Sequence, residues 1–165
     1  MRKRGFEKIS WEQFQKDFGK FIPNLEETYQ EITMPIRKTA GSAGYDFQTL
    51  FSFTLNPGES ILLPTGIKAY MEKDEFLALF VRSSLGIKKK IMLMNQVGII
   101  DYDYYQNISN EGHIMVGLIN TGNSPWVCQK GEAIIQGIFM KYLLADHDKR
   151  NDFIRLGGIG STDKE

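Results

Sequence analysis

Sulfur and imidazole are scarce in this 165-residue chain, which has one cysteine, Cys128, and two histidines, His113 and His147. One cysteine forms no internal disulfide, and its sequence distance from both histidines leaves no Cys/His zinc motif. Net charge is also missing: twenty basic and twenty acidic residues cancel. No global field therefore exists to hold a nucleic-acid backbone or an anionic membrane, and any phosphate must be bound locally. Apolar runs are short and interrupted, which excludes a membrane-spanning helix, and the N-terminal MRKRGFEK has no apolar stretch behind its charges. A cytoplasmic protein is expected. The chain has no Gly-Lys-Ser/Thr phosphate loop, no repeat at solenoid or propeller period, and no low-complexity segment.

What is present suffices for one good core, because 42% of the residues are hydrophobic and 24% are charged. Ser10 with Gln13 has the form of a capping box, and Trp11, Phe14, Phe18 and Phe21 recur at helical spacing. This predicts an amphipathic helix over Ser10 to Lys20, stopped by Pro23 and packed over one end of a sheet, with Glu26 to Glu31 forming another turn or a loop. From Ile32 the texture changes to short runs of Ile, Val, Phe, Leu and Tyr, with turn signals such as Asn56-Pro57-Gly58 and Thr121-Gly122-Asn123 about every ten residues. That spacing predicts an all-β, sandwich- or barrel-like fold. Strands are expected at Tyr45 to Thr49, Ser60 to Leu63, Ile67 to Met71, Phe76 to Val81, Met92 to Asn95, Ile114 to Asn120 and Ala133 to Tyr142. Residues 1–31 read as a helical extension packed on a β domain of residues 32–165. The arm over 146–165 is polar and glycine-rich, contributes little core and is expected to be mobile when unbound.

Five segments could carry chemistry. MNQVGIIDYDYY, Met94 to Tyr105, runs an apolar approach into Asp101, a second acid and Tyr104, so Asp101 is either a catalyst or an ordinary turn acid. Arg82-Ser83-Ser84-Leu85-Gly86 ends an apolar run with a guanidinium and two hydroxyls. Those groups suit an anion cradle, though an exposed polar turn would read the same way. In AGSAGYDF, Asp46 lies between Tyr45 and Phe47 and either points outward or serves a site. Gln136 in GEAIIQ is likewise a polar residue in an apolar strand. GGIGST, after Arg155, is either a loose end or a flap that closes over phosphates.

Taken in order, AGSAGYDF, VRSSLG, NQVGIIDYDY, GEAIIQ and GGIGST resemble the five motifs of the trimeric dUTPases, over about Thr39 to Thr162. The resemblance implies a jelly-roll-like subunit in a homotrimer whose three active sites lie at subunit interfaces. The first, second and fourth motifs would come from one chain, the third from a neighbour, and the tail from the remaining one. It further implies dUTP as substrate, with Mg2+ held mainly by the triphosphate and waters, and dUMP and pyrophosphate as products. Asp101 would orient the water that attacks the α-phosphorus, and Gln136 would help hold that water. Tyr104 would pack on the sugar and leave no room for a ribose 2′-hydroxyl. Asn95, Gly98, Ile99, Ile100 and Met115 would contact base and sugar. Arg82, Ser83 and Ser84 would take the phosphates, with Arg155, Ser161 and Thr162 closing over the β- and γ-phosphates. No direct protein ligand to the metal is implied, Asp46 acting at most through water.

The chain departs from that family at three places. Ile159 stands where the tail usually carries a base-stacking phenylalanine, Tyr105 to Glu111 lengthens the loop after the tyrosine, and the N-terminal helix is extra. The long loop resembles some Gram-positive and phage enzymes, and a repressor-type protein partner would follow if the chain is phage-derived. The related dCTP deaminases share the fold, but their catalytic glutamate would fall where this chain has Gly117.

Overall fold

The computed structural model describes residues 2–149 and 155–158, so Ile159, Ser161 and Thr162 lie outside the described residues. Within these, the chain forms strands β1 (Gly5–Lys8), β2 (Tyr45–Gln48), β3 (Phe53–Leu55), β4 (Ser60–Pro64), β5 (Ile67–Tyr70), β6 (Glu75–Val81), β7 (Ile91–Leu93), β8 (Gly98–Asp101), β9 (Met115–Asn120), β10 (Trp126–Cys128) and β11 (Ala133–Lys141). Helices α1 (Trp11–Phe18) and α2 (Leu25–Gln30) lie between β1 and β2. All strand pairings are antiparallel. One sheet orders as β2-β11-β6-β8 and another as β4-β9-β7, with the pairs β1-β5 and β10-β3 beside them. The all-β architecture expected from the turn spacing, in the jelly-roll-like form implied by the resemblance, is what the chain adopts.

Alternation explains how the sheets close on one core. Along β9, Val116, Leu118 and Asn120 turn inward while Met115, Gly117 and Ile119 face the other side. The inward set meets Leu63, Leu77, Leu79 and Ile134. Asn120 is buried without penalty because its amide donates to the carbonyls of Leu55 and Ser124 at 2.8 and 3.0 Å and accepts from Gly122 N–H at 2.9 Å. No helix among the described residues is long and apolar enough to cross a membrane.

The helical spacing at Trp11, Phe14 and Phe18 proves to be a packing face: Phe14 and Phe18 are fully buried and stack with centroids 4.2 Å apart. Burying each contributes about 1.5 to 3 kcal/mol. Ser10 caps the helix by accepting from Gln13 N–H at 3.2 Å, but Gln13 does not reciprocate and donates instead to Asp17 at 2.7 Å. The helix ends at Gly19, ahead of the expected stop at Pro23, and Glu26 to Glu31 largely falls in α2 rather than a loop.

Four strands fall outside the expected ranges, β8 among them, where the apolar approach to Asp101 is not counted as a strand. In β1 only Phe6 is apolar among charged neighbours, while β3 and β10 are three residues long and too short to show a period. The RSSLG segment is also not a simple turn, because Ser84–Lys89 forms a π-helix that buries Leu85 and exposes its lysines.

Candidate active site

Two clusters of expected site residues form at opposite ends of β6. At its C-terminal end, β2 and β11 place Asp46 directly opposite Gln136, and Gln136 lies opposite Phe80 of β6, one residue before Val81 ends that strand. Arg82 Nε lies 3.4 Å from Asp46 Oδ1. Together with Lys38, Ser42, Gly44 and Ser83 these residues line a polar cavity of about 170 Å³. A β-carbon at Gly44 would press on the Gln136 side chain and displace its amide, so glycine leaves that amide room at the cavity. Asp46 is 7% exposed, and its Oδ2 has no hydrogen-bond partner among the described residues. A buried, half-satisfied carboxylate in a cavity with a guanidinium is a group awaiting a donor such as water. Ser84 is exposed at the start of the π-helix and does not line this cavity.

The second cluster hangs on the hairpin from β7 through β8 to β9. Gln96, at φ +62°, turns the chain, and its N–H donates to the Leu93 carbonyl at 3.1 Å. β8 then pairs with β6, Asp101 opposite Phe76 and Gly98 opposite Leu79. A β-carbon at Gly98 would come within 3.0 Å of the Leu79 side chain, so glycine lets the two strands approach. The result is an apolar cavity of about 490 Å³ lined by Asn95, Gly98, Ile99, Ile100, Tyr104 and Met115 among others, with Arg155 and Gly158 at its edge. That volume suits a nucleoside-sized ligand. Gly117 is part of the wall, where a β-carbon would meet Met94 Sδ at 3.0 Å.

Tyr104 is buried, and its hydroxyl donates to the His113 carbonyl at 2.8 Å while accepting from Asn110 Nδ2 at 2.8 Å. Burial pushes its phenol pKa up. Asp101 follows β8 into a short 3₁₀ turn, Tyr102–Tyr104. Burial raises the Asp101 carboxyl above the ordinary aspartate value, Arg155 opposes that rise, and the neighbouring Asp103 adds to it. Arg155 bridges the two acids, 2.5 Å from Asp101 Oδ2 and 2.9 Å from Asp103 Oδ1. Residues 155–158 therefore lie against the chain's own Asp101 to Ser109 segment, with Ser109 N–H donating to the Leu156 carbonyl at 3.2 Å and Gly158 against Tyr104. Arg155 is not among the residues of the Arg82 cavity.

Sequence reasoning assigned no role to Asn107, Asn110 or His113. Asn107 Oδ1 accepts from Ser109 and Asn110 N–H groups, and its amide donates to the Tyr104 carbonyl at 2.8 Å, tying the long loop into a compact turn. The asparagine spacing in NISN was the signal available for it.

The sequence and the fold have counterparts. A dUTPase family model matches residues 30–162. The deoxyuridine 5′-triphosphate nucleotidohydrolase of Lactococcus lactis is 46% identical over 132 residues, covering 79% of this chain and 88% of that one. The crystal structure of dUTPase from Streptococcus mutans is 39% identical, covers 86% of this chain and 98% of its own, and superposes with a TM-score of 0.67. The D95N dUTPase of phage phi11 of S. aureus, a structure with a structural Mg(II) ion, is 14% identical, covers 92% of this chain and 99% of its own, and has a TM-score of 0.65, a likeness of fold alone. On the family match and the Lactococcus identity, this chain belongs to the dUTPase family.

Proposed function

We propose that the activity of this dUTPase, hydrolysis of dUTP to dUMP and pyrophosphate, is carried by a site shared between subunits of a homotrimer. One observation carries the reading. Asp101 sits beside Phe76 at one end of β6, and Arg82 follows Val81 at the other. Arg82 lies six residue steps along extended chain from Phe76, roughly 20 Å at strand rise, so one chain's Asp101 is too far to act on a phosphate held by its own Arg82. Joining the hairpin of one subunit to the Arg82 cavity of another removes the conflict. Leu62, Met92, Met94 and Ile99, large apolar side chains left exposed around the hairpin, supply a surface for that union.

In the composite site the base and sugar lie against Asn95, Gly98, Ile99, Ile100 and Met115, where unpaired backbone groups of the hairpin read the uracil edge. Cytosine, with donor and acceptor exchanged, leaves those groups unsatisfied. Tyr104 packs on the deoxyribose. Arg82 and Ser83 hold the phosphates and neutralise charge that builds on them. Asp101, its basicity raised by burial, takes the proton from the attacking water, which Gln136 helps orient. The bond to the α-phosphorus forms as the α,β-bridging oxygen leaves with pyrophosphate. Arg155, Ser161 and Thr162 close on the β- and γ-phosphates, which requires Arg155 to leave Asp101. Magnesium fits this donor set: the free buried oxygen of Asp46, the Gln136 amide and the Ser42 and Ser83 hydroxyls are hard oxygen donors that would hold the ion with its waters. Asp46 would contact it through water, and its chemistry is to neutralise the triphosphate.

Pyrophosphate release measured against dUTP, UTP, dTTP and dCTP tests the assignment. dUTP is expected to be preferred by at least about two orders of magnitude in kcat/KM over dCTP, because the hairpin groups are left unpaired by the wrong base. Ammonia released from dCTP would overturn it.

A further inference from the structure

The family match begins at residue 30, yet the chain before it is tied into the loop that follows Tyr104. Tyr105 Oη donates to Glu7 Oε2 at 2.5 Å, and Ser10 donates to Glu111 through its N–H at 3.0 Å and through its hydroxyl. Lys68 Nζ donates to the same carboxylate at 3.0 Å. The deepest of these ties is Asp17, on the buried side of α1. Its Oδ2 lies 2.6 Å from Nδ1 of His113, whose side chain is fully buried.

The proton positions on His113 follow from its other partner. Gly66 N–H donates to Nε2 at 2.8 Å, so Nε2 is the acceptor and Nδ1 carries the proton that Asp17 receives. Phe18, one residue after Asp17, stacks on the imidazole with centroids 5.9 Å apart. With both nitrogens engaged and a face covered, the ring has one position. The His113 carbonyl then accepts from Tyr104 Oη at 2.8 Å and from Asn110 Nδ2 at 3.3 Å, and the same Asn110 amide donates to Tyr104 Oη. Tyr104 thus stands where His113 places it.

We propose that Asp17 is a positioning residue for Tyr104, setting through His113 how sharply the site separates deoxyribose from ribose. The proposal rests on the reading that Tyr104 packs on the sugar. Exclusion of a 2′-hydroxyl is a steric test at one ring face, so a small displacement of the ring admits ribose. Without the Asp17 carboxylate the His113 N–H is buried with no acceptor, and the imidazole shifts to find one, carrying its carbonyl and the tyrosine hydroxyl with it. The signature differs from general weakening: the substrates should move in opposite directions, with KM rising for dUTP and falling for UTP.

The test is kcat/KM for dUTP and UTP in Asp17→Ala, Asp17→Asn, Tyr104→Ala and Tyr104→Phe, and in Asp17→Ala combined with Tyr104→Phe. Asp17→Ala is expected to lower the dUTP/UTP ratio about tenfold, the scale of a sub-ångström displacement at a reacting substrate. Asp17→Asn, whose amide oxygen still accepts from Nδ1–H, should restore most of the ratio. Once the hydroxyl is gone in Tyr104→Phe, Asp17→Ala should lower the ratio no further. An unchanged ratio in Asp17→Ala while Tyr104→Ala lowers it would overturn the proposal and leave the sugar-packing reading intact. Equal losses on both substrates would also overturn it, as the mark of a merely structural residue. An unchanged ratio in Tyr104→Ala would overturn the sugar-packing reading itself, and the proposal with it. Should Asp17→Ala not fold, Asn110→Ala, which cuts the same chain of bonds at the tyrosine, must lower the ratio, and native discrimination there would refute the positioning chain.

Discussion

Asp101→Asn is expected to bind dUTP as the native protein does and to turn it over about two to four orders of magnitude more slowly, the usual worth of a positioned general base. Asparagine keeps the shape and the neighbours but cannot take a proton at working pH. The native pH profile should carry the same signature. Burial raises the Asp101 carboxyl, so the base is lost on acidification at a pH above that of an ordinary aspartate, and the acid limb of kcat/KM should lie correspondingly high. Arg155 opposes this shift, and Arg155→Ala should therefore move the limb higher still. Near-native turnover in Asp101→Asn would remove this residue from the mechanism.

Arg82→Ala should cost about two to three orders of magnitude in kcat/KM, the scale of losing one preorganised donor to developing charge. The loss has two sources in the structure. The phosphates lose a forked donor, and Asp46, already carrying one unpartnered buried oxygen, loses its cation and repels the incoming triphosphate. Arg82→Lys should recover only part of the activity, since an ammonium supplies the charge without the fork. Steady-state kinetics on dUTP decides this, and a loss of less than about tenfold would mean that Arg82 is not a principal phosphate contact.

How far these residues could be read in advance follows from the range of the interactions that place them. The Phe14 and Phe18 face, the long strands β6 and β11, and the alternation in β9 are local periodicities, and the sequence displays them directly. The π-helix after Arg82 has no such display, because a serine, a glycine and lysines in succession read as a turn until Leu85 is seen to be buried. The site divides the same way. Asp46 and Gln136 could be marked as polar residues in apolar strands, but only the β2-β11 register sets them opposite each other. Arg155 on Asp101 and Asp17 on His113 join residues far apart in the chain, with no motif around Asp17 to announce its partner. The N-terminal helix looked like simple cover for a sheet end, and the structure makes it a support of the Tyr104 loop as well.

The central claim, that each site takes Asp101 from one subunit and Arg82 from another, is tested most directly by mixing the two defective chains. Asp101→Asn and Arg82→Ala proteins, each nearly inactive alone, are co-expressed at equal levels and the mixed oligomers assayed on dUTP. Random assembly around a ring of head-to-tail interfaces pairs an intact Asp101 with an intact Arg82 in about one quarter of the sites, so activity should rise to about a quarter of native. Activity no greater than the mean of the two parents would contradict the account, because each chain would then be using its own pair.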